Sequence, residues 1–140
     1  MKKSLGKRGR LPTKQLTKTY HIIFDAIGCN KKMISKESFV FKLLMELPKI
    51  VGMKVLVGPN LVRDYDSDHT GITGIEIISF SHITIHTFDL TGEVFIDIFS
   101  CKPFDYKKIK RYLFKKLKIP AKNVQTQEIK YPWERDLIKK

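Results

Sequence analysis

The chain has 140 residues, of which 42% are hydrophobic and 29% are charged, values typical of one globular domain with one core. Its two cysteines, Cys29 and Cys101, exclude a disulfide framework and favour a reducing, cytoplasmic location. No membrane partner is expected, because no apolar run approaches the roughly 18 residues of a membrane span and no apolar segment follows the basic start of the chain.

The first 17 residues are polar, basic and interrupted by glycine and proline, which predicts a flexible arm before a single domain over residues 18–140. The formal net charge is +13, and a second concentration of lysine and arginine lies between residues 107 and 118. This charge could mark a nucleic-acid footprint, or it could be a mobile arm and the solvated face of a helix. The second interpretation is favoured because no nucleic-acid-binding motif accompanies the charge.

The first half of the predicted domain reads as strand, helix, strand. Residues 18–26 alternate apolar and polar side chains in the manner of a strand. Ser35 is predicted to cap a helix with an apolar stripe, which ends near Pro48 and Gly52. A short apolar strand is predicted over residues 53–57.

The second half is rich in strands and ends with a helix and one more strand. The predicted elements are a polar loop over 59–70, strands over 72–79, 82–88 and 93–100, a helix opened by Pro103, and a polar strand over 122–130. This order predicts an α+β two-layer sandwich, with a mostly antiparallel sheet and two helices on one face. The other face would be solvated or buried in a dimer.

The runs 82–88 and 93–100 are joined by a turn signal at residues 89–92, so they form a predicted hairpin. A loop of two to four residues places Cys101 opposite one of residues 80–82, with about 5 Å between facing Cβ atoms. Five residues of strand span roughly 17 Å, which keeps His86 away from Ser81. Bringing His86 to Ser81 requires a bend in the strand or a neighbouring subunit.

Three segments carry a resemblance to a known family. They are GITG at residues 71–74, SHITIHT beginning at Ser81, and IDIFSC with its cysteine at Cys101. Together they resemble the small prokaryotic S-adenosylmethionine decarboxylases, and the order of elements agrees over roughly residues 18–130.

The resemblance implies a homodimeric carboxy-lyase of polyamine (spermidine) biosynthesis, with a two-layer fold and residues from both protomers lining each site. Its pyruvoyl cofactor would arise when the proenzyme cuts itself between Phe80 and Ser81. Ser81 would be the pyruvoyl precursor, which forms a Schiff base with the amine of its small-molecule substrate. His86 would transfer protons during processing, and Cys101 would return a proton to the product. Thr73 would assist processing where the family usually has serine.

Some positions depart from the family pattern. Phe80 stands where glutamate usually precedes the cleaved serine, and residues 88–90 replace a Trp-Pro-Glu segment whose acid contacts the ribose of the substrate. Phe88 keeps an aromatic side chain, whereas Leu90 accepts no hydrogen bond. Asp89 is the nearest carboxylate that could substitute, so the losses are concentrated in nucleoside recognition.

Two alternatives stay open from the residues. Asp64, Asp66 and Asp68 could pair with a guanidinium or ammonium group, as in a pyruvoyl-dependent arginine or ornithine decarboxylase, or they could form a solvated turn. They do not predict a metal site, because His69 occupies the position where a calcium loop needs glycine. The other alternative is an unprocessed, non-enzymatic relative that acts as a basic binding module.

Overall fold

The structure is a computed structural model that describes residues 18–130. The predicted basic arm over residues 1–17 and the last ten residues of the predicted domain lie outside the described part. Within it the chain forms β1 (Tyr20–Ala26), α1 (Lys31–Ile34), α2 (Glu37–Val51), β2 (Val55–Asp64), β3 (Gly71–Ile78), β4 (Ser81–Phe88), β5 (Glu93–Ser100), α3 (Tyr106–Leu117) and β6 (Val124–Glu128).

The six strands form one sheet in the order β2-β3-β4-β5-β1-β6, and every neighbouring pair is antiparallel. Strands β2 to β5 follow one another as a meander. β1 then pairs with β5 on one side and with β6 on the other, so the first strand of the chain lies inside the sheet. The predicted α+β architecture with a mostly antiparallel sheet is confirmed.

One face of the sheet carries the core. Alternate residues of the four central strands point at the helices, and they pack with the apolar stripes of α2 and α3. Fully buried members include Ile22, Phe24, Leu43, Leu44, Leu47, Ile78, Ile83, Ile85, Ile96, Ile98, Ile109 and Leu113. The two long helices therefore cover the same face, as predicted, and the opposite face of the sheet has no helical layer among the described residues.

Gly74 allows α2 to pack closely on the sheet. A Cβ atom there would lie 2.6 Å from Leu44 Cδ1. Gly71, at the start of β3, is under a tighter constraint, since its Cβ would lie 1.8 Å from the backbone oxygen of Thr87. The Thr87 hydroxyl also accepts a hydrogen bond from the Ile72 N–H at 3.0 Å. These contacts hold the start of β3 close to the end of β4.

The helix ends are set by local chemistry. The Asp105 side chain accepts the Lys108 N–H at 3.1 Å and caps α3. Gly52 adopts a left-handed conformation with φ 73° and ends α2, in agreement with the sequence. Pro48, expected to mark this end, lies inside the last turn.

Three local predictions were wrong. Strand β2 continues through Gly58 and Pro59 to residue 64, where the sequence predicted a loop, because shifts in its pairing with β3 accommodate these residues on an edge strand. Ser35 ends the short helix α1 instead of capping α2. The third helix begins after Asp105, because that side chain supplies the cap that Pro103 cannot.

No helix within residues 18–130 is long and apolar enough to cross a bilayer.

Candidate functional site

The site is built around a two-residue turn that joins β3 to β4. Ile78 pairs with Ser81, which leaves Ser79 and Phe80 as the turn. Phe80 has φ 58°, in the left-handed region where glycine and asparagine are preferred, and 70% of its surface is exposed. The Lys102 ammonium group lies 5.0 Å from the centre of the Phe80 ring. The peptide before Ser81 is thus held in a strained conformation at the tip of a hairpin.

The Ser81 side chain points inward and is 9% exposed. Its hydroxyl has three acceptors within reach: the Ser100 hydroxyl at 2.8 Å, the Ser79 carbonyl oxygen at 3.0 Å and the Met53 sulfur at 3.3 Å. Ser100 is fully buried and faces Ser81 across the β4–β5 pair. The sequence prediction missed Ser100. A loop of four residues at 89–92, the longest of the predicted lengths, places Ser100 opposite Ser81.

Cys101 lies opposite Phe80, one of the three positions that the hairpin allowed. Its N–H donates to the Phe80 carbonyl oxygen at 3.3 Å. That carbonyl belongs to the peptide bond between Phe80 and Ser81. The Cys101 thiol is free and half-buried. The structure thus brings Phe80, Ser81 and Cys101 together, as the sequence indicated.

Thr73 and His86 form a separate pair. The Thr73 hydroxyl and His86 Nδ1 are 2.9 Å apart on neighbouring strands, and both residues are exposed on the sheet face that lacks helices. His86 is five residues beyond Ser81 on the straight part of β4, a separation of roughly 17 Å. Ser81 points to the other face. One chain therefore does not bring Thr73 and His86 to the Ser81 hydroxyl, and β4 contains no bend that would do so.

A second group on the open face was not predicted as a unit. The Asp97 carboxylate lies 2.5 Å from His21 Nε2 and 3.3 Å from His82 Nε2. The His82 ring stacks on Phe99, with ring centres 5.4 Å apart and planes 11° apart. Because His82 directly follows Ser81, these contacts anchor the first residues of β4. The diagonal position of Asp97 between two histidines depends on β1 pairing with β5, which the sequence pattern does not specify.

The residues expected to contact a nucleoside have other partners. Phe88 packs edge-on against Phe95, with ring centres 5.5 Å apart. Asp89 accepts a hydrogen bond from Arg63 at 2.7 Å, and the Arg63 guanidinium also donates to the Ser35 carbonyl oxygen and lies 3.7 Å from Glu37. Asp89 is therefore held by Arg63 at the turn between β4 and β5.

The acidic loop before β3 satisfies its own backbone. The Asp64 side chain accepts the Asp66 N–H, and the Asp66 side chain accepts the Asp68 N–H, both at 2.9 Å. The hydrogen bond from Asp68 is the largest cause that lowers the pKa of Asp66, and His69 also contributes. The three aspartates are exposed. This geometry is that of a solvated turn, and it does not favour the arginine or ornithine alternative.

One buried acid lies on the helix-facing side of β3. Glu76 is 1% exposed, and neither of its carboxylate oxygens has a hydrogen-bond partner among the described residues. Burial raises the pKa of Glu76 from 4.5 to about 7. The sequence did not predict the burial of Glu76, because β3 has apolar residues on both faces and its pattern does not show which face is inward.

Comparisons with known proteins agree with this geometry. A family model described as S-adenosylmethionine decarboxylase matches residues 20–131. The S-adenosylmethionine decarboxylase proenzyme of Clostridium botulinum (strain Langeland) is 36% identical over 112 residues, covering 79% of this chain and 90% of the relative. The proenzyme of Caldicellulosiruptor saccharolyticus is 30% identical over 111 residues, covering 79% and 85% respectively.

The fold is also shared with a solved structure. The crystal structure of the adenosylmethionine decarboxylase from Aquifex aeolicus VF5 superposes with a TM-score of 0.64 at 22% identity, covering 84% of this chain and 97% of the other. The family match spans the whole sheet and both long helices. It also includes the strained turn and the residues around Ser81. The chain belongs to the S-adenosylmethionine decarboxylase family.

Proposed function

We propose that this chain is a cytoplasmic, self-processing decarboxylase of S-adenosylmethionine in polyamine (spermidine) biosynthesis, with a pyruvoyl group derived from Ser81. The observation that carries the proposal is the Phe80–Ser81 peptide. The Phe80 carbonyl oxygen accepts a hydrogen bond from the Cys101 N–H, and Phe80 itself has a strained, positive φ. The hydroxyl of Ser81 is buried and hydrogen-bonded. Relatives that match most of this chain are named proenzymes, which supports a chain that is cut after synthesis.

The turn supplies the bonds that form and break in self-cleavage, and water completes the reaction. The Ser81 oxygen attacks the Phe80 carbonyl carbon, the C–N bond between the two residues breaks, and the hydroxyl proton passes to the freed nitrogen. Elimination then releases residues 1–80 with the serine oxygen in the new carboxylate. Water converts what remains of Ser81 into a pyruvoyl group and ammonia. The Cys101 N–H donates to the oxygen on which negative charge develops during the attack.

The residues around the turn fit a pyruvoyl group, because the amino terminus created at residue 81 would stay at the start of β4 beside Cys101. When formed, the pyruvoyl group supplies an electron sink for decarboxylation. The half-buried Cys101 thiol is then the proton donor for the product. The Lys102 ammonium group holds the Phe80 ring on one side of the cleaved bond. On the other side, the ion pair between His82 and Asp97 holds the residue that follows Ser81.

The position of Thr73 and His86 supports a homodimer with shared sites. This pair lies on the open face, roughly 17 Å along β4 from Ser81, and so it can serve Ser81 only from another copy of the chain. We assign Thr73 and His86 of one protomer to the Ser81 of its partner, where the imidazole carries protons during processing.

The open face also has the composition of an interface. Val62 is 69% exposed, Ile75 45% and Ile77 48%, and all three lie on the side of β2 and β3 that the helices do not cover. Contiguous apolar surface of this kind marks an association site in a soluble protein. A second copy that packs its sheet against this face would bury these residues and place the Thr73 and His86 of each protomer against its partner.

Intact-mass measurement tests self-cleavage. The purified wild-type protein should yield fragments of residues 1–80 and 81–140, the second lacking a free amino terminus, whereas Ser81→Ala should remain whole. Carbon dioxide release from labelled S-adenosylmethionine, compared with arginine and ornithine, tests the substrate. A wild-type chain that stays intact after long incubation would overturn the proposal, and turnover of arginine alone would overturn the substrate.

Mixing two inactive variants tests the shared site. Neither Ser81→Ala nor His86→Ala should be cut when folded alone. When they are folded together, the His86→Ala chain should be cut, because its Ser81 meets an intact His86 from the partner. If His86 serves its own chain, the mixture will stay uncut.

The interface has its own test. Ile75→Lys should convert the dimer to a monomer in light scattering, because it places a charge in the apolar surface. Phe41→Lys is the matched control, since Phe41 is 46% exposed on α2, on the helical side. Equal effects of the two substitutions would contradict the proposed interface.

A further inference from the structure

We propose that Ser100 is a positioning residue for self-cleavage, which aims the Ser81 hydroxyl at the Phe80 carbonyl. The inference rests on the proposed function and concerns a residue to which the family resemblance assigned no role. Ser100 is fully buried in the central strand β5 and lies directly opposite Ser81. Its oxygen is the nearest hydrogen-bond acceptor of the Ser81 hydroxyl, at 2.8 Å.

The backbone fixes the direction of this hydrogen bond. The Ser100 oxygen accepts the Lys102 N–H at 2.8 Å, and its own proton reaches the Lys102 carbonyl oxygen at 2.8 Å. With its only proton committed to that carbonyl, Ser100 meets Ser81 as an acceptor. The Ser81 proton therefore points towards Ser100, and no described group donates to the Ser81 oxygen.

This arrangement suits the attack. A nucleophile must present a lone pair to the carbonyl carbon, and a donor on the Ser81 oxygen would occupy one. The other two acceptors are weaker competitors for the proton. The Ser79 carbonyl oxygen is 3.0 Å away, within the turn that must rearrange, and the Met53 sulfur at 3.3 Å is a poor acceptor.

In the step that Ser100 prepares, a bond forms between the Ser81 oxygen and the Phe80 carbon, and the bond from that carbon to the Ser81 nitrogen breaks. The Ser81 hydroxyl proton ends on that nitrogen, so the step is an isomerisation without a co-reactant. Ser100 itself is unchanged. Its contribution should therefore be seen in the rate of cleavage and not in the turnover of chains that have been cut.

The test uses the full chain and follows cleavage by intact mass. Ser100→Ala should cut about tenfold or more slowly than wild type, the effect of losing one hydrogen bond to the reacting group. Ser100→Cys should be similarly slow, because a thiol is a weak acceptor of nearly the same size. Ser100→Thr keeps the hydroxyl and should restore most of the rate. Urea unfolding of each variant shows that it is folded.

Hydroxylamine shows which step Ser100 affects, because it cuts the ester formed by the attack and so reports the attack separately from the later elimination. Hydroxylamine-induced cleavage should fall in Ser100→Ala in parallel with spontaneous cleavage. Ile98→Val is the matched control, since Ile98 is buried on the same face of β5 two residues before Ser100, and its cleavage rate should change by less than about twofold.

The outcomes distinguish this inference from the proposed function. If wild type is never cut, both proposals fail. If wild type is cut and Ser100→Ala or folded Ser100→Cys is cut at the same rate, only the role of Ser100 fails. Accumulation of ester in Ser100→Ala would also overturn it, because the defect would then lie after the attack.

Discussion

The buried acid on β3 should make the fold less stable as the pH rises from acid to neutral. Glu76 is 1% exposed without a hydrogen-bond partner among the described residues, and burial raises its pKa from 4.5 to about 7. Between these two values the folded chain holds the Glu76 proton while the unfolded chain has lost it. The contribution of Glu76 to the free energy of unfolding is therefore largest below pH 4.5, falls as the pH rises to about 7, and changes little above that.

The magnitude follows from the two pKa values. Integrating proton binding between pH 5 and pH 8 gives a loss of about 2.5 kcal/mol in the free energy of unfolding, a large fraction of the stability of a small domain. Glu76→Gln removes the titration and keeps the size of the side chain. The difference in unfolding free energy between Glu76→Gln and the parent should therefore shift by about 2.5 kcal/mol in favour of glutamine over this range.

The assay is urea unfolding at a series of pH values, in a Ser81→Ala background so that a single uncut chain unfolds. Glu128→Gln is the control, because Glu128 is an exposed glutamate on β6. Its difference from the parent should show no comparable dependence on pH. A difference for Glu76→Gln that stays flat from pH 5 to pH 8 would refute the reasoning, since it would mean that Glu76 is as easily ionised in the folded chain as in the unfolded one.

Three further predictions concern stability and the turn. Asp105→Ala should lower the free energy of unfolding by about 1 kcal/mol in urea, because it removes the cap that accepts the Lys108 N–H; an unchanged midpoint would contradict that role. Gly71→Ala should abolish cooperative unfolding, since its Cβ would lie 1.8 Å from the Thr87 backbone oxygen; normal unfolding would show that the strands can separate. Phe80→Gly should relieve a positive φ and stabilise the uncut chain by up to about 1 kcal/mol. The same change should slow cleavage if strain assists the attack, and faster cleavage would exclude that contribution.

The sequence predicted the layers well, because alternation and helical stripes report burial directly. Local patterns predicted the apolar stripe of α2, its end at Gly52 and the hairpin that carries Ser81. Strand β2 was not, since Gly58 and Pro59 resemble a strand break. Only its edge position and shifted pairing with β3 make these residues tolerable there.

Within the site, the sequence did not determine the register in which β4 pairs with β5. Moving the partner of Ser81 by one position exchanges Ser100 for Cys101 and reverses which face each side chain points to. The register depends on the length of the loop between β4 and β5, which the sequence limited to two to four residues without selecting one. Contacts between distant segments, such as Arg63 with Asp89, leave no local signal at all. Through that contact Arg63 holds Asp89, the carboxylate next to Leu90, where the family usually has glutamate.

The order of strands has a consequence for the product of the proposed cleavage. Residues 1–80 contain β1, β2 and β3, whereas residues 81–140 contain β4, β5 and β6. Because β1 lies between β5 and β6, a strand of the first fragment is flanked on both sides by strands of the second. The two products would be interlocked and could part only by dismantling the sheet. Two halves synthesised separately would have to assemble before β1 could take its place, so a continuous chain that is cut after folding is the simpler route to the same molecule.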